Sequence, residues 1–115
     1  MMKTNELIGA ALDWAVAQCE GFDWYIAEGV VYEERGEVSA TFEPSVRWAH
    51  AGPIIEREMI SLNAHEPDDV EWVAREYWGD DGMTGPTPLI AAMRCYVMNN
   101  MGTVVDVPEE LLEAV

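Results

Sequence analysis

"GDDGMTGPTPLIAAMRCYV", residues 79–97, sets three glycines and two prolines in front of an apolar run. That run has helical spacing, with Leu89, Ile90, Met93, Tyr96, Val97 and Met101 on one stripe. Thr87 is a good N-cap, and Pro88 suits the first helical position, where the N–H it lacks would have no partner. Gly102 follows as the terminator. A helix over about Pro88–Met101 is expected, and the rest of the fold is read around it. The irregular stretch before it has two readings: it aims the helix, or it forms one wall of a binding site.

Toward the N-terminus, Leu7, Ile8, Ala11, Leu12, Ala15, Val16 and Cys19 make a second helical stripe over about Asn5–Glu20. Thr4 or Asn5 is placed to cap it and Gly21 to close it. The period then changes. "FDWYIAEGVVYEERGEVSATFEP", residues 22–44, is rich in aromatic and β-branched residues and broken at Gly29 and Gly36. Short antiparallel strands over about Asp23–Glu28, Val30–Glu33 and Glu37–Phe42 fit, with a hairpin turn around Gly36. Pro44 and Ser45 start a helical turn reaching Trp48, which the Gly52–Pro53 pair interrupts. "MISLNA", residues 59–64, reads as a strand, and so does a segment through Trp72 and Val73, with a short helix as the alternative. The tail gives an extended piece and a helical turn from Pro108. Two main helices (about 5–20 and 88–101) with a small antiparallel sheet make a single α+β domain.

Composition limits what such a domain does. The chain has 115 residues, half of them hydrophobic, enough for one core and too few for two ordinary domains. It carries 22 acids against 6 bases, a formal net charge of −16. That surface repels DNA, RNA and anionic membranes, so neither direct nucleic-acid binding nor membrane association is expected. It suits docking on a basic protein. Cys19 and Cys95 both lie on helical stripes and read as buried free thiols. Without a signal peptide or a membrane-length apolar run, the cytoplasm is the expected location.

Catalytic signatures are missing: no phosphate-binding glycine motif, no G-x-S-x-G, no H-E-x-x-H. His50 and His65 have no cysteine or histidine at metal-ligand spacing, His65 with Asp68 and Asp69 falls short of a known cation pattern, and Asp80–Asp81 lacks the spaced oxygens of a calcium loop. No catalytic residue, metal ligand or cofactor is expected, and the protein reads as a non-enzyme.

Three blocks, "MKTNELIGAALDWAVAQCEG", "EPSVRWAHAGPIIERE" and "GPTPLIAAMRCYVMNNMG", ending in "VVDVPEELL", resemble the NinX-like family of small phage proteins. The family pattern has an acid before the tryptophan of the central block, where this chain has Arg47, so no charge-specific role carries over there. The resemblance implies a phage or prophage origin, hence an accessory product inside the cytoplasm of a bacterial host cell, of a kind that modifies host processes or counters defence. It implies no particular chemistry.

The same blocks hold the candidate site. A turn into a helix start offers free N–H groups and the positive end of the helix dipole, here beside Thr84, Gly85 and Thr87. Trp48 and Trp78, in irregular segments, offer flat stacking surfaces. Arg57 and Arg47 could supply charge to a phosphate. Together these are the ingredients of a pocket that sequesters a nucleotide-like small molecule, deepened by homo-oligomer formation. The competing expectation is an acidic inhibitor that mimics nucleic acid on the basic surface of a host nuclease or DNA-binding complex. On the plainer reading, the tryptophans are core and the turn only aims the helix.

Overall fold

The computed structural model describes residues 1–64, 71–76 and 82–112. The helix that anchored the sequence reading, α3, runs Pro88–Met101 as expected. Thr87 Oγ1 accepts from the Ile90 N–H at 3.1 Å, and the Gly102 N–H closes the other end on Met98 O. Its middle is buried on every side from Ala91 to Val97, which makes it the central helix rather than a surface one.

Around α3 the described residues are arranged as α1 (Gly9–Glu20), α2 (Trp48–Arg57) and a short α4 (Glu109–Leu112), with three small antiparallel sheets among them. One sheet is the meander of β2 (Trp24–Ala27), β3 (Val30–Arg35) and β4 (Val38–Thr41). A second joins β5 (Ser61–Ala64), β6 (Trp72–Arg75) and β7 (Met83–Gly85), and packs on α3. The third pairs β1 (Met2–Lys3) with β8 (Val104–Val105). The α+β class stands, and the single sheet expected resolves into three.

Three local expectations need correction. Helix α1 begins at Gly9, after a 3₁₀ turn over Thr4–Glu6, because Gly9 takes a left-handed φ of 54° that separates the two. Thr4 is therefore no cap. It is buried, its Oγ1 donates to Gly102 O at 2.6 Å, and it ties the N-terminus to the end of α3. Helix α2 runs straight through Gly52–Pro53. The proline removes one N–H from the ladder, while buried Ala51 and Ile54 hold that helix face in the core. Met83–Gly85, expected as part of an irregular turn, is strand β7, in register with Trp72–Ala74.

The core joins the α1 face (Leu12, Ala15, Val16) to α3 (Leu89, Met93, Val97), with Val31, Ile54 and Val105 from other elements. Trp14 and Trp24 meet edge to face at 6.0 Å, and Phe22 meets Phe42 likewise at 4.8 Å. Arg94 is a buried cross-brace at 8 % exposure, its Nε donating to Leu7 O and its Nη1 to Thr84 O.

Candidate functional site

The segment before α2 is a rigid mount. Val46 and Arg47 both donate backbone N–H bonds to Glu43 O, and the Glu43 N–H donates to His50 Nδ1 at 2.9 Å. His50 therefore carries its proton on Nε2, and its ring stacks on Phe42. Beneath the mount lies Asp13 of α1, only 4 % exposed, whose Oδ1 accepts from the Ser45 N–H at 2.8 Å. Burial pushes the Asp13 carboxyl up to about 7, against the pull of the Ser45 hydrogen bonds and with a further push from Glu43.

Held this way, the mount turns two large apolar side chains to solvent: Val46 at 64 % exposure and Trp48 at 57 %. Across from them stands the first turn of α3, with Thr87, Pro88, Leu89 and Ile90. Between the two is an open, largely apolar cleft of about 260 Å³, with Ser45 in its wall. Of the sequence-chosen residues, Trp48 and Thr87 meet here.

The others do not join them. Arg57 sits at the far end of α2, roughly 14 Å of helix rise from Trp48. Its guanidinium is occupied by both oxygens of Glu20 at 2.7 and 3.2 Å, by Glu58 at 2.9 Å and by Tyr96 Oη at 3.1 Å. Burial raises the Glu20 carboxyl, yet the Arg57 and Tyr96 hydrogen bonds outweigh it and hold Glu20 below the usual range. Arg47 neighbours Trp48 in sequence, and its exposed side chain pairs with Glu43 at 3.1 Å. Gly85 is a packing glycine: a Cβ there would come within 2.7 Å of Ala91 N. Thr84 is exposed and gives its carbonyl to Arg94. Trp78, His65, Asp68, Asp69, Asp80 and Asp81 lie outside the described residues.

The start of α3 also offers less to an anion than its sequence suggests. Thr87 takes the Ile90 N–H with its side chain and the Ala91 N–H with its carbonyl, and Pro88 has none. The Leu89 N–H is left. The cleft therefore favours a flat or apolar group over a phosphate. Sequence reasoning missed Asp13, Ser45, Val46 and Ile90. An acid inside the apolar stripe of α1 was the available signal for Asp13.

Among the described residues no group of three or more His, Cys, Asp or Glu is placed to hold a metal ion, and no helix is long and apolar enough to cross a membrane. Fold and site define a small α+β protein with an exposed indole, Trp48, on a fixed mount beside an open apolar cleft. The chain belongs to the family described as Bacteriophage P22, NinX, whose family model matches residues 3–100, the cleft and its mount included. It is thus a phage accessory protein by family. The quoted tail "VVDVPEELL" lies beyond the matched range. No curated protein matches the chain.

Proposed function

We propose that this phage accessory protein works by binding, not catalysis, and sequesters a nucleotide-like small molecule by its ring at Trp48. The observation that carries the reading is the indole at 57 % exposure, held by a hydrogen-bonded mount and facing an apolar helix turn. A heterocycle laid on that indole gains stacking and buries Val46 and Ile90 as well. At about 260 Å³ the cleft falls short of the roughly 300–1,000 Å³ of sites that enclose a drug-sized ligand. One protomer thus receives one ring, and the remainder of the ligand meets solvent or a second copy. Arg47 is the cation nearest in sequence. Its exposed pair with Glu43 is worth roughly 0–1 kcal/mol, so releasing it toward a ligand anion costs little.

The test is calorimetry of the purified protein with adenosine, AMP, ADP-ribose and cyclic nucleotides, followed by heat release of what was bound. Recognition by the ring predicts that the nucleoside retains most of the affinity of its phosphorylated forms. Trp48→Ala should weaken binding by about tenfold or more, whereas Arg57→Ala should leave it unchanged. If no compound binds, or if Trp48→Ala binds as well as the parent, the reading is wrong. Recovery of a chemically altered ligand would overturn the non-catalytic half of it.

A further inference from the structure

The β2–β3–β4 meander ends in an open edge. The Phe42 N–H donates to Val31 O, so Val31 and Phe42 form a hydrogen-bonded pair, and pairs of that kind alternate along an antiparallel ladder. The register Glu33↔Ala40 and Arg35↔Val38 continues the bonded set, while Tyr32↔Thr41 and Glu34↔Ser39 are the non-bonded pairs. The Glu34 N–H bond to Asp23 O on the opposite side of β3 agrees with this phase. The N–H and C=O groups of Ser39 and Thr41 therefore point away from the sheet. Among the described residues no further strand pairs with β4.

Edge strands are normally blunted by a charge, a proline or a bulge. β4 reads Val-Ser-Ala-Thr, with Val38 at 67 % exposure, and has none of these. Charge stands around it instead: Glu33 and Glu34 on β3, and Glu37 and Glu43 at its two ends. On the side of the sheet carrying Val38 and Ala40, an open hollow of about 240 Å³ lies over these two residues, with Glu33 and Arg35 beside them. The other side carries Glu34 behind the small Ser39.

We propose that β4 is a docking edge for an extended segment of a host protein in which Lys or Arg alternates with apolar residues. Such a segment pairs its backbone with Ser39 and Thr41. Its apolar residues enter the hollow over Val38 and Ala40. Its cations lie across Ser39 toward Glu34, two strand spacings or roughly 10 Å away, within the joint reach of a Lys and a Glu side chain. A second copy of this chain is the poorer occupant. Antiparallel self-pairing centred on Ala40 sets Glu37 opposite Glu43 twice, between two bodies each at −16. The edge shares no residue with the Trp48 cleft, so it stands or falls separately from that reading.

The experiment uses the whole protein, isotope-labelled, and a blocked hexapeptide of alternating Val and Lys. Controls are its Val/Glu counterpart and the same Val/Lys peptide N-methylated on alternate residues. Expected are shifts and slowed exchange at the Ser39 and Thr41 amides, affinity that falls with added salt, and no binding of either control. Ser39→Pro removes an outward N–H without touching the ladder to β3, a position where an edge strand accepts proline. It should lose about tenfold or more in affinity. Glu34→Lys, which leaves the backbone alone, should lose a comparable factor. Equal binding by wild type and either folded variant overturns the proposal, as does a peptide footprint at Trp48. Protection of the Ser39 and Thr41 amides in the free protein that fades on dilution also overturns it, because a second copy would then hold the edge.

Discussion

Asp13→Asn tests the mount under Trp48 by separating its two possible roles, as a charge and as an acceptor. In the native protein the carboxyl is 4 % exposed and titrates at about 7, against 3.8 for the unperturbed group. The raised value means that the folded state holds its proton through a range where the unfolded chain has lost it. Stability from this group is thus fully present below about pH 4, declines as pH climbs toward 7, and is flat above. A gap of about 3 units at 1.36 kcal/mol each corresponds to a loss of roughly 4 kcal/mol across that window. Asparagine keeps an oxygen for the Ser45 N–H and never ionises. Subtracting wild type from variant cancels the titration of the remaining acids. Urea unfolding at half-unit steps from pH 4 to 9 should show the variant's relative stability rising by roughly 4 kcal/mol over that range, with most of the rise complete by pH 7. A flat difference would refute the argument, since Asp13 would then be ionised at low pH or unburied.

Gly85→Ala should cost roughly 1–3 kcal/mol by thermal or chemical unfolding, because its methyl would press on backbone atoms of Ala91 that cannot move aside. Thr87→Ala removes the α3 cap and should cost about 1 kcal/mol in the same assay. Cys19 and Cys95 are pushed up to about 12 and about 11, chiefly by burial, so at pH 8 the native protein should react with a thiol reagent far more slowly than the urea-unfolded chain.

The fold was legible where one local rule acted alone. Thr87, Pro88 and Gly102 mark both ends of α3 through hydrogen-bond chemistry confined to a few residues, and the helix spans what they mark. The hairpin at Gly36 was readable for the same reason, since its φ of 62° suits glycine. Where tertiary contacts competed with a local rule, the local rule lost. Thr4 carries a capping side chain, but Gly102 O across the molecule takes its hydroxyl. Gly52–Pro53 reads as a break, yet burial of Ala51 and Ile54 carries α2 through it. Met83–Gly85 has no strand pattern in three residues and becomes β7 only because β6 offers a register.

The candidate site divides on the same line, and the division explains why Trp48 faces water. Burying a whole aromatic side chain contributes roughly 1.5–3 kcal/mol, so an indole left 57 % exposed needs something that keeps it from collapsing onto the core. Trp14 and Trp24, with no such restraint, pack against each other. Trp48 has one: the Asp13 bond fixes Ser45, the Glu43 carbonyl fixes Val46 and Arg47, and helix α2 starts from that direction. Arg57 looked like its partner because both lie in one short block of sequence. A continuous helix between them sends the two to opposite ends, and Glu20 and Tyr96, distant in sequence, claim the guanidinium. Composition could supply a tryptophan and an arginine; only the path of α2 decides that the tryptophan meets the apolar start of α3 and the arginine meets acids. Under the proposed function, that path makes the cleft the seat of the ring and leaves the charge of the ligand to Arg47 or to a second copy.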